Sequence, residues 1–177
     1  ACKTHHRTAA EAKQTLDESL KKLKTDHFDL FQLHAITDVE KDVKASLAKD
    51  GAMKTILDAK KAGIIRYIGF SAHSPEAAIY AMENFDFDTI LYPVNFSCHY
   101  RGQFDQQVIR MANERGVAIL TLKAIARQKW QEQDKEERQK WPKTWYEPII
   151  DPEWARKALY WTLSQPGVVA TIPPGVD

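Results

Sequence analysis

Short apolar runs alternate along this chain with segments whose apolar residues recur every three or four positions, and this alternation limits the fold more than any other feature. The runs cover 28–34, 64–71, 88–95, 117–122 and 168–172. They are apolar at most positions rather than every second one, as strands covered on both faces are. Between them the sequence predicts helices. Thr8 and Glu11 have capping-box spacing ahead of a stripe of Ala12, Leu16, Leu20 and Leu23. Residues 52–62 carry Ile56 and Ala59 and stop at Gly63, and Ser74-Pro75 starts a helix with Ala78, Ile79, Met82 and Phe85 inward. A further helix from about Gln103 to Gly116 buries Val108, Met111 and Ala112, and one capped by Asp151-Pro152 carries Ala155, Ala158, Leu159 and Leu163. Helical crossovers of this length let successive strands run parallel, so the architecture is α/β.

Three runs end on His34, Ser71 and Asn95. In parallel sheets the carboxyl ends of strands are where ligands meet the chain, which makes His34 the most informative of the three. No glycine-rich phosphate loop follows a first strand, so a doubly wound nucleotide sheet is disfavoured. A (β/α)₈ TIM barrel, incomplete at its front because the chain opens in the end of a strand at Ala1-Cys2-Lys3-Thr4, accounts for the pattern better. Residues 1–177 then form a single partial barrel. Its one long connection, 123–150, exceeds what a compact domain leaves unstructured. Trp130, Trp141, Trp145 and Tyr146 lie there, and Trp141 to Tyr146 is expected to close as a lid over cofactor or substrate; the other reading has these rings covering the outside of the barrel.

A net charge of +1 with no basic block gives no reason to expect nucleic acid, and no apolar run approaches the ~20 residues that cross a membrane. Cys2 and Cys98 form neither a disulfide framework nor a CxxC pair, which fits a reducing, cytoplasmic setting. The start at Ala1 is equally compatible with a removed leader or a preceding domain. Cys2, His5, His6 and His99 lack zinc spacing, so no metal site is expected; His5 and His6 are instead expected beside Lys3 on the pocket rim.

Taken in order, Cys2-Lys3-Thr4, Leu23-Lys24-Thr25-Asp26 with Asp29-Leu30 and Leu33-His34, Gly51-Ala52, Ala59 to Ser71, and Val169-Ala170-Thr171-Ile172-Pro173 resemble the aldo-keto reductase family. The resemblance implies a barrel that binds NADP(H) and transfers hydride between nicotinamide and a small carbonyl or alcohol substrate. It matches Lys3 and His34 to two members of the family's Asp, Tyr, Lys and His catalytic set. The aspartate and tyrosine would belong to strand-loop units that precede Ala1. Ser71 matches the serine that binds the nicotinamide carboxamide, although Ala72 replaces the asparagine that commonly follows and Leu91 stands where glutamine is common. Leu122 occupies the place of the ring stacked on nicotinamide, and Lys123 after it is expected to meet the pyrophosphate.

The chemistry of such a set follows from its charges. Hydride arriving at a carbonyl places negative charge on oxygen, and a phenol titrating near 10 donates its proton at neutral pH only beside a cation. Lys3 would be that cation, and His34 would donate an N–H to the oxygen. The alternative is a non-catalytic nucleotide-sensing or interaction protein on the same barrel. Without its first strands the barrel has open sheet edges, and the chain alone is expected to be insoluble or molten and inactive.

Overall fold

A computed structural model describes residues 1–172. Pro173, the end of the last motif, lies outside the described residues. The elements run β1 (Cys2–Thr4), α1 (Ala9–Leu23), β2 (Phe28–Ile36), a stretch of π-helix at Val39–Lys44, α2 (Ala45–Leu47), α3 (Ala52–Lys61), β3 (Ile65–Ala72) and α4 (Pro75–Asn84). They continue through β4 (Thr89–Pro93), α5 (Phe96–Gly102), α6 (Gln106–Arg115), β5 (Ala118–Leu122), β6 (Ala126–Gln128), α7 (Lys135–Gln139), β7 (Glu147–Pro148), α8 (Pro152–Leu163) and β8 (Val168–Ile172). Six strands form one sheet in the order β1-β2-β3-β4-β5-β8, every neighbouring pair parallel. The α/β expectation therefore holds, and the barrel is partial.

Strand pleating sends alternate side chains to opposite faces. On the helix-covered face Phe31, Leu33, Ile68, Phe70, Ile90, Tyr92 and Ile119 are all at most 1% exposed, packed with Leu16, Ile56, Ala81, Met82 and Ala112. The register places Lys3, Gln32, Gly69, Thr89 and Ala118 in one row on the opposite, inner face, with Ser71, Leu91 and Leu120 in the row above. That inner face is only partly covered: Leu30, Thr89, Leu120 and Leu122 are half-buried.

Side-chain caps explain the starts of α1, α4, α5 and α8. Asn95, Ser74 and Asp151 accept the N–H of Cys98, Ala77 and Trp154, so the Oδ1 of the strand-end amide Asn95 caps α5, while its Nδ2 is buried without a partner among the described residues. At α1 the Thr8 hydroxyl accepts the Glu11 N–H at 3.5 Å and itself donates to the Glu11 carboxylate, a variation on the expected box.

Four sequence expectations need correction. Leu23 is 63% exposed: it is the last residue of α1, which closes at Lys24 in the left-handed region, and the covered stripe ends at Leu20. The helix expected from about Gln103 to Gly116 is α6, which begins only at Gln106, and the short α5 before it, parted from α6 at Gln103 with φ 47°, was not expected. In α8 the covered stripe runs through Ala158, Trp161 and Thr162, and Leu163 is 42% exposed. Finally, β8 is an edge strand that, among the described residues, bonds only to β5, and Val169 and Ile172 stay 63% and 53% exposed despite their apolar run. Residues 123–150 also carry structure of their own: β6 and β7 pair antiparallel, and α7 lies between them.

Candidate functional site

Three side chains from three adjacent strands meet at the carboxyl end of the inner face. Lys3 Nζ stands 3.3 Å from His34 Nε2, and His34 Nδ1 stands 2.8 Å from Ser71 Oγ. The register sets His34 and Ser71 on one rim, two positions beyond Gln32 and Gly69, while Lys3, in the row of Gln32 and Gly69 below it, reaches His34 with its long side chain. Immediately after His34 the strand is irregular. Ala35 takes φ 56°, and the ladder shifts between Leu33 and Ile36.

Arg7 holds that bend in place. Its Nη2 donates to the carbonyls of His34 at 2.8 Å and Ala35 at 3.4 Å, while Nε donates to Asp42 Oδ1 at 3.1 Å. Asp42 in turn accepts from the backbone N–H groups of Thr37 and Asp38 and from the Thr37 hydroxyl. Burial pushes the Asp42 carboxyl up, but those amide bonds and the guanidinium outweigh it and hold it below its ordinary value. Neither Arg7 nor Asp42 was identifiable from sequence, because the partners of Arg7 are backbone carbonyls and a carboxylate far along the chain.

The rim is cationic. Burial, then Lys3, His5, His73 and Arg7, depress the His34 imidazole from 6.5 to about 4, so the ring is neutral at physiological pH. The His5 ring stands edge-on to His34 with centroids 4.4 Å apart, and burial followed by Lys3 lowers it too. His5 is thus where the sequence expected it. His6 is not: its Nδ1 faces Glu11 Oε1 at 3.6 Å, because the chain turns there into α1. His99 likewise faces the buried Asp105 at 3.0 Å, so Cys2, His5, His6 and His99 do not converge. Among the described residues no group of three His, Cys, Asp or Glu is arranged to hold a metal.

Of the expected cofactor positions, Ser71 is fully buried and already bonded, through its Oγ, to His34 and to the Ala35 N–H at 2.8 Å. Leu122 sits half-buried on the inner face at the end of β5. Lys123 follows at φ 62°, half-buried, its ammonium pushed below the usual range by burial. Lys123 also depresses His73, behind the burial of that ring, and among the described residues no carboxylate pairs with it. Ala72 and Leu91, two of the three departures from the family pattern, are 0% and 9% exposed.

Two of the four aromatic residues expected in the lid are placed away from the side chains of Lys3, His34 and Ser71. Trp130 and Trp141 line, with Phe96, Tyr100, Trp154 and Trp161, a separate cavity of about 870 Å³ between α5, the β6-β7 hairpin and α8. Trp130 Nε1 donates to the Thr144 carbonyl, and Trp145 is 88% exposed.

The aldo/keto reductase family model matches residues 2–175. None of the curated proteins is similar at a significant level. A Pseudomonas aeruginosa structure described as an aldo-keto reductase superposes with a TM-score of 0.67 at 23% identity, over 96% of this chain and 53% of its own. The holo aldo-keto reductase of Bacillus halodurans gives 0.68 at 18% identity, over 96% and 60%. An aldo/keto reductase of Brucella melitensis gives 0.64 at 17%, over 99% and 61%. At these identities the likeness establishes the fold, and the chain spans little more than half the length of each neighbour. The partial barrel with its ordered motifs, and the model match from residue 2 to 175, place the chain in the aldo/keto reductase family.

Proposed function

We propose that this chain is the later part of an NADP(H)-dependent oxidoreductase acting on a small carbonyl or alcohol, with Lys3 and His34 as its catalytic residues. The observation that carries the reading is the approach of the Lys3 ammonium to within 3.3 Å of a neutral, half-buried imidazole. Two groups able to donate to one oxygen, set where strand ends gather, suit a reaction that builds negative charge on that oxygen. Lys3 would also lower the pKa of a phenolic proton donor contributed from outside residues 1–177.

The residues fit the nicotinamide end of a dinucleotide. Ser71 Oγ keeps one lone pair for a carboxamide N–H, though it is fully buried here, Leu122 offers an apolar surface, and the ammonium of Lys123, which has no carboxylate partner among the described residues, would meet pyrophosphate. Bound there, nicotinamide would supply or accept the hydride. Ala72 and Leu91, apolar where amides would grip the carboxamide, favour a second reading: a protein that binds the nucleotide without turning over a carbonyl. Titrating NADPH into the full-length protein while following tryptophan fluorescence, and then adding a panel of aldehydes and ketones, separates the two. Saturable binding with NADPH oxidation supports the reductase. Binding without oxidation supports the sensor, and no binding defeats both.

A further inference from the structure

Resting on the reductase reading, we propose that Ser71 is the positioning residue of His34, fixing the tautomer in which Nε2 carries the proton and leaving Nε2 and Lys3 as two donors aimed at one substrate oxygen. A serine hydroxyl offers one hydrogen and two lone pairs. Ser71 is fully buried, and its hydroxyl has two partners among the described residues, the Ala35 N–H and His34 Nδ1, each at 2.8 Å. If Nδ1 carried the proton, Oγ would accept twice and its own hydrogen would be left buried with no acceptor. If Nδ1 is bare, Ser71 donates to it, accepts from Ala35, and every polar atom is satisfied.

Lys3 pulls the other way, because its ammonium donates well only to an unprotonated Nε2. That contact is 3.3 Å long and its lysine is exposed, so water replaces it at little cost. An unpaired buried hydroxyl has no such substitute. Ser71 therefore decides the tautomer. With the proton on Nε2, that N–H and the Lys3 ammonium cannot bond to each other, and both are satisfied by a single acceptor placed between them. A carbonyl oxygen gaining charge is such an acceptor. The bend at Ala35, held by Arg7, delivers the N–H that makes Ser71 spend its hydrogen on His34.

Long-range proton-nitrogen spectra of the full-length protein labelled with ¹⁵N-histidine test this, His34 being assigned with His34→Gln. The expected result is a pyridine-like Nδ1 and a pyrrole-like Nε2, in a ratio of about ten to one or better. A protonated Nδ1 overturns the proposal. Ser71→Ala should shift His34 toward a mixture and lower kcat, while Ser71→Thr, which keeps the hydroxyl, keeps the tautomer. Weaker NADPH binding in Ser71→Ala with unchanged His34 nitrogen shifts also overturns it, since Ser71 would then serve the nucleotide alone. Should Ser71→Ala not fold, the wild-type spectrum and Ser71→Thr decide. The spectra do not depend on turnover: the expected tautomer in a protein that reduces no carbonyl would leave Ser71 as the positioner of His34 and remove the reductase reading.

Discussion

Lys3 and His34 stand on strands that pair directly, so removing either leaves the sheet intact and deletes one donor. We expect Lys3→Met and His34→Gln each to lower kcat/KM for carbonyl reduction by about 10² to 10³-fold, with circular dichroism unchanged. Acid should also weaken the fold in a definite direction. The His34 pKa falls from 6.5 unfolded to about 4 folded, so the unfolded chain binds the extra proton between those values. Stability contributed by the neutral ring is complete above about pH 6.5 and is lost as pH falls toward 4. The denaturation midpoint of wild type should fall relative to that of His34→Gln over that interval; midpoints that stay parallel would contradict the shift. The sequence disclosed His34 through its place at the end of an apolar run and Lys3 through the family motif. It did not disclose that Ser71 bonds His34, because a strand-end serine carries no signal of what stands on the neighbouring strand.

Among the elements, the β2 end depends on a support that lies outside it. Asp42 and Arg7 form a pair with side chains 17% and 15% exposed, and Arg7 carries the carbonyls of His34 and Ala35. Asp42→Ala leaves a largely buried guanidinium without its carboxylate and should destabilise the protein by about 2 to 3 kcal/mol in urea unfolding, lowering activity as His34 loses its orientation. No loss of stability would show that the pair is dispensable. A second element-level constraint is Gly51, where α3 begins. A Cβ there would lie 2.3 Å from the Ser46 carbonyl oxygen, which is backbone and has little room to yield. Gly51→Ala should cost about 2 kcal/mol or more, read as a lower melting temperature. Strands and most helices were legible because their periods are simple. The seven-residue α5 was not, since none of its side chains is buried and it offers no apolar period to read.

At the scale of the whole molecule, the sheet ends in two edges, β1 and β8, and its inner face is half-buried at Leu30, Leu120 and Leu122. Exposed Val169 and Ile172 on β8 add an apolar edge that can pair with another chain. Residues 1–177 expressed alone should therefore aggregate or remain molten, with helical far-ultraviolet and weak near-ultraviolet dichroism. A sharp cooperative melt would contradict this. The partial barrel was readable from the alternation of strands and helices, whereas the separate aromatic cavity was not, because its rings come from three distant segments.

The most direct test is a single turnover in the full-length protein: pre-bound NADPH mixed rapidly with a reactive aldehyde while absorbance of the reduced cofactor is followed. A hydride-transfer phase in the wild type that slows by about 10²-fold or more in both Lys3→Met and His34→Gln, at saturating NADPH, is the predicted result. Equal rates in all three proteins would contradict it.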